Sequence, residues 1–93
     1  MMVGSMDDPL MLDANAVAGD LYDLFGVELT AVLHQCASCG NRAPVGTLRA
    51  WTRGPGTVLR CSVCSDVVLR WSRTSSGMVL DLRGAALIEV PRA

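Results

Sequence analysis

The feature that most constrains this chain is a repeated cysteine pair, Cys36-x2-Cys39 and Cys61-x2-Cys64, with 21 residues between the two pairs. Two intervening residues let a tight turn aim both sulfurs at one point. The backbone N–H groups of that turn can then hydrogen-bond the thiolates and spread their charge. Two such turns brought together by a hairpin place four sulfurs at the corners of a tetrahedron, which suits Zn²⁺ at about 2.3 Å per bond. The separation is slightly longer than the usual range of about 15–20 residues. "VGTLRAW–TRGPG–TVLR" lies wholly between the pairs, so a longer hairpin accounts for the excess. The expectation is one Zn²⁺ per chain, held by Cys36, Cys39, Cys61 and Cys64.

A metal also answers a shortage. The chain has 93 residues, and its only aromatic residues are Tyr22, Phe25, Trp51 and Trp71, so the core is built mainly from Val, Leu and Ala. Domains this small commonly need a disulfide, a metal or a partner. The start, "MMVGSMDDPLML", has neither a basic stretch nor a continuous apolar run, and Met2 and Met6 are alternative start positions. It does not read as a signal peptide, and no segment approaches the roughly 20 apolar residues of a membrane span. The expected compartment is the cytoplasm, where thiols stay reduced and structural disulfides are disfavoured.

Other uses of four thiols fit less well. Gly40 follows the first pair where positive φ is often required, but Ser65 holds the equivalent place in the second, so the second turn is expected to differ. A rubredoxin-type iron site usually reads C-P-x-C-G, whereas Ala37 and Ser62 replace the proline and Ser65 the glycine. A thioredoxin-like dithiol lacks its βαβ surroundings. Four sulfurs leave no open position on a tetrahedral ion, so the metal is expected to be structural and the protein not an enzyme. His34, the only histidine, is expected as a partly exposed residue at a strand end rather than as a ligand or base.

Along the chain, residues 1–12 read as a flexible arm and 13–93 as a single domain. Val17, Leu21, Leu24 and Phe25 recur on one helical face, with Asp13 as N-cap and Gly26 as left-handed C-cap, giving a helix over 14–25. Gly19 weakens its interior by roughly 1 kcal/mol relative to Ala. The rest, 27–90, reads as antiparallel sheet: strands at 27–33, 45–51, 57–60, 67–73, 78–82 and 85–90, with turns at 52–56 and 74–77. The fold class is therefore small α+β, mainly β, with two cysteine knuckles on the sheet.

The net charge of −1 conceals a division. Residues 1–35 carry six carboxylates and no cation, while residues 36–73 carry six arginines against Asp66 alone. Four metal-bound thiolates remove about two of those positive charges. In strand phase Arg49 shares a face with Trp51, and Trp71 shares one with Arg73. With Arg53 and Arg70 they form a candidate surface for a partner protein or for nucleic acid, where aromatic rings stack on bases and arginines meet phosphates. Asp20 and Asp23 on the helix are expected near these arginines if the helix packs on the sheet. An exposed edge strand would also permit a homodimer.

The two knuckles, each bounding a β-hairpin, resemble those of zinc ribbons. Through "LDANAVAG…LFGVELT", "PGTVLRCSVC" and "VLDLRGAALIEV" the chain also resembles a family of small uncharacterised bacterial zinc-ribbon proteins. That resemblance implies a short N-terminal helix, the four cysteines as ligands and no known enzymatic activity. The expected function is a small non-catalytic zinc-binding protein that engages another protein. The alternatives are a nucleic-acid-binding or transcription-associated ribbon and, less favoured, a rubredoxin-like iron electron carrier.

Overall fold

The computed structural model describes residues 12–91. Residues 1–11 of the expected arm lie outside the described residues, while Leu12, also assigned to it, is in a strand and pairs with Ala50. That strand, β1 (Leu12–Asp13), runs into a 3-10 turn, Ala14–Val17, and then helix α1 (Ala18–Phe25). The Asp13 carboxylate accepts the Asn15 N–H at 3.1 Å and caps this helical segment. Gly26 closes it at φ 72°, its N–H donating to Tyr22 C=O at 2.7 Å. Val17 and Leu21 are buried, and Leu24 and Phe25 pack partly against the same core.

The remaining strands are β2 (Leu33–Cys36), β3 (Arg42–Pro44), β4 (Arg49–Trp51), β5 (Gly56–Arg60), β6 (Val67–Thr74), β7 (Gly77–Asp81) and β8 (Ala85–Ile88). They form two antiparallel sheets, one of five strands in the order β1-β4-β5-β6-β7 and one of three in the order β3-β2-β8. The chain is thus mainly antiparallel β with one short N-terminal helix. Ala50, Leu59, Leu69 and Trp71 from the large sheet join Val17 and Leu21 from the helical segment in a single core. Cys36 and Cys61 are part of that core, so the sulfur centre is built into the packing.

Two expected strands differ. Residues 27–32 form a loop, and β2 begins only at Leu33. The Glu28 carboxylate accepts the Thr30 N–H at 3.1 Å, and Val32 N–H closes a turn on Leu29 C=O at 3.0 Å. Such local bonds offer the backbone an alternative to a ladder and outweigh the strand preference of Val27 and Val32. Likewise 45–47 is a 3-10 turn, closed by Leu48 N–H on Val45 C=O at 3.0 Å, and only 49–51 is strand. Gly46 sits so tightly there that a Cβ would lie 2.7 Å from Asn15 Oδ1 and 3.0 Å from Thr30 C=O.

Gly84 binds the two sheets together. A Cβ at this position would lie 1.9 Å from the Val67 carbonyl oxygen, on β6, so only glycine permits the approach. Its own carbonyl accepts the Ala37 N–H at 2.9 Å, which holds the turn between Cys36 and Cys39.

Candidate metal centre

Cys36 ends β2 and Cys61 directly follows β5, so each sheet contributes one knuckle. The two turns are superimposable in their bonding. Gly40 N–H donates to Cys36 C=O at 2.9 Å, and Ser65 N–H to Cys61 C=O at 3.0 Å. Cys36 N–H meets Asn41 C=O and Cys61 N–H meets Asp66 C=O, each at 2.9 Å. Gly40 has φ 79° and Ser65 has φ 69°. This corrects the expectation that the second turn differs: Ser65 adopts the left-handed conformation that glycine adopts in the first. Part of the reason is Arg60, whose guanidinium donates to Ser65 C=O at 2.9 Å. Sequence reasoning passed over Arg60, although its place directly before Cys61 was a signal.

The four sulfurs lie within 4.8 Å of one another. Cys36 and Cys64 are 3.7 Å apart, as are Cys39 and Cys61. Regular tetrahedral coordination at a metal–sulfur bond of about 2.3 Å gives edges of about 3.8 Å. No disulfide links these four thiols. Backbone N–H groups point at the sulfurs: Val63 N–H reaches Cys61 Sγ at 3.3 Å, Ser38 and Cys39 serve Cys36, Asn41 serves Cys39 and Asp66 serves Cys64. The four sulfurs could together hold a metal ion, with Cys39 exposed and Cys36 and Cys61 buried.

Its electrostatics disfavour four free thiolates. At Cys64 the Asp66 N–H favours the thiolate, but burial and the sulfurs of Cys36, Cys39 and Cys61 outweigh it and push the thiol up to about 12. At Cys39 the Asn41 N–H favours the thiolate, but burial and the sulfurs of Cys61 and Cys36 outweigh it and raise the thiol. Cys36 moves down: burial opposes ionisation, but the N–H groups of Cys39 and Ser38 and the neighbouring sulfurs prevail. Four thiolates this close repel one another, and a divalent ion at their centre removes the conflict.

The family comparison covers the same knuckles. Residues 6–93 match the model of DUF6510, a family of unknown function. The chain belongs to DUF6510. No curated protein and no solved structure matches it. The match is to this family and not to a named zinc-ribbon family, so membership of DUF6510 leaves the function to be argued from the residues.

His34 corrects a further expectation. It is fully buried on β2, opposite Ala43 and Ile88, rather than partly exposed. Its Nδ1–H donates to Ala43 C=O at 2.7 Å, which leaves Nε2 as a buried nitrogen without a hydrogen-bond partner. Burial lowers its pKa against the opposing pull of the Ala43 carbonyl, so the ring is neutral. The sulfur cluster does not include it.

The six surface candidates are divided between two faces. Trp51 pairs with Val58, and Trp71 with the adjacent Thr57, which puts the two rings on opposite sides of the large sheet. Trp71 is only 4% exposed and belongs to the core, with Arg73 farther along its face. The outer face keeps Arg49, Trp51 and Arg70, with Arg53 in the exposed β4–β5 turn. The expected surface of six residues is therefore not continuous, because Trp71 is needed inside. Asp20 lines a cleft with Arg73, but neither it nor Asp23 forms an ion pair with an arginine among the described residues. Asp81 does instead, with Arg70 at 3.0 Å and Arg83 at 2.8 Å.

Proposed function

We propose that this DUF6510 protein is a small, non-catalytic zinc module whose metal is structural and whose outer sheet face binds another protein. The observation that carries the reading is the pair of 3.7 Å sulfur contacts joining knuckles from the two sheets. Tetrahedral thiolate sites take zinc or iron. Zinc suits this chain because it brings no redox chemistry, and a saturated four-sulfur shell leaves no position for substrate or water. A cytoplasmic location accords with four free thiols, and among the described residues no helix is long and apolar enough to cross a membrane.

The burial of Trp71 favours a protein partner over nucleic acid, since it leaves Trp51 as the only aromatic on the arginine-bearing face. Base stacking by single-strand binders uses successive rings. Native mass spectrometry of protein purified without added metal or chelator is the test. A mass heavier by one zinc per chain supports the reading and shows whether the protein is a monomer or a dimer. Iron, or a mass lighter by four hydrogens, overturns it.

A further inference from the structure

The outer face of the large sheet carries a groove of about 590 Å³ beside strand β7. Its apolar floor comes from Trp51, Val58 and Val79, of which Val79 is 57% exposed. Arg70 and Arg83 stand on its rim and share one carboxylate, Asp81, so the rim keeps an excess positive charge. Arg49 and Arg60 lie on the same face, cross-strand partners of each other, and the turn at Arg53 adjoins the groove. Among the described residues, the face sets only Asp81 and the capping Asp13 against these five arginines. An apolar floor with arginines around it is the composition of an interaction hot spot rather than of a solvated sheet.

The border of the groove adds a second observation. Among the described residues, β7 is the last strand of its sheet and pairs with β6 alone. Its sequence, Gly-Met-Val-Leu-Asp, contains no proline and no lysine, two of the usual devices that block addition of a strand. An extended segment laid along β7 would gain main-chain hydrogen bonds, and every second side chain would turn toward the groove beside Val79.

The geometry points to a partner of one kind: an extended, acidic segment of another protein that adds to the β7 edge, seats an apolar side chain on Trp51, Val58 and Val79, and places carboxylates against Arg70 and Arg83. This rests on the protein-binding reading above and specifies its site and partner chemistry. Charge decides against a basic or neutral segment, and the single, only partly exposed tryptophan of this face against nucleic acid.

The test uses zinc-loaded, ¹⁵N-labelled protein titrated with three probes: a synthetic peptide alternating glutamate with valine, its lysine-for-glutamate counterpart, and oligothymidylate. The acidic peptide should shift the amides of Gly77–Asp81 and the Trp51 indole, with a Kd below about 1 mM that weakens with salt. Val79→Ser and Arg83→Ala, both surface changes, should each weaken it at least about fivefold with zinc content unchanged. Shifts by the lysine peptide alone, or none by either peptide, overturn the acidic-segment assignment. Oligothymidylate binding this face more tightly than the acidic peptide overturns the protein-binding reading itself.

Discussion

Replacing Gly84 by alanine tests the join between the two sheets. The new Cβ would begin 1.9 Å from the Val67 carbonyl oxygen and 2.7 Å from the Val68 Cα, both backbone atoms that no side-chain rotation can move. Ordinary van der Waals contact needs about 3.4 Å, so the segment must retreat by about 1.5 Å. Retreat breaks the 2.9 Å bond from Ala37 N–H to Gly84 C=O. Losing that bond costs about 1 kcal/mol, and the remaining overpacking about 2 kcal/mol. The total of about 3 kcal/mol lowers Tm by roughly 12–24 °C for a domain of this size. Thermal unfolding of the zinc-loaded protein by circular dichroism is the assay, with Gly54→Ala as control because nothing lies within 4 Å of that position. If both variants melt with the parent, β6 and the Gly84 turn are not in contact as described, and the reasoning fails.

Four other perturbations have definite signs. Removing the metal with excess chelator should unfold the domain, since a structural zinc contributes on the order of 10 kcal/mol; an unchanged circular dichroism spectrum would count against a structural metal. Ser65→Gly should raise stability by about 1 kcal/mol and Gly40→Ala lower it by about 1 kcal/mol, because both positions hold positive φ; chemical denaturation measures the pair, and two losses would show that Ser65 is not strained. Gly19→Ala should stabilise the protein by about 0.5–1 kcal/mol, since the position lies inside α1, has normal φ and opens to nothing within 4 Å; an unchanged denaturation midpoint would refute this. Arg83, with Arg70, holds the Asp81 carboxyl below the ordinary carboxylate range. The ion pair therefore contributes above about pH 3.9 and is lost as pH falls below it; in Arg83→Ala the carboxyl ¹³C titration should move back up, and no movement would refute the pairing.

The legible parts of this fold are those where local and tertiary preferences agree. Asp13, the Val17–Leu21 spacing and Gly26 mark the ends and buried face of the helical segment expected over 14–25, although its first turn, Ala14–Val17, is 3-10 and the α-helix itself begins at Ala18. Strands β5, β6 and β7 likewise appear close to where alternation and the Gly–Pro and Ser–Gly turns put them. The four cysteines needed only their spacing. What stayed hidden depended on partners distant in sequence. β3 is three residues ending in Pro44, and pairing with β2 alone makes it a strand. The Trp51 and Trp71 phases could be read, but their opposite facing is set by cross-strand register, which alternation within one strand does not contain. His34 was misplaced for the same reason, since its burial follows from β3 and β8 closing on either side of β2.

The position of the metal centre connects these two halves. Cys36 ends a strand of the small sheet and Cys61 directly follows one of the large sheet, with Cys39 and Cys64 in the turns beyond, so an ion held by all four would cross-link the sheets. Gly84 supplies one such tie, with its carbonyl on the first knuckle and its backbone against β6. Directly before it stands Arg83, on the rim of the proposed docking groove. The same short turn thus meets the knuckle on one side and the groove on the other. On the proposed reading, a metal held by the four cysteines would also fix where the Asp81–Arg83 pair stands. A groove that depends on two arginines sharing one carboxylate requires that placement, so the proposed structural metal would also shape the proposed docking site.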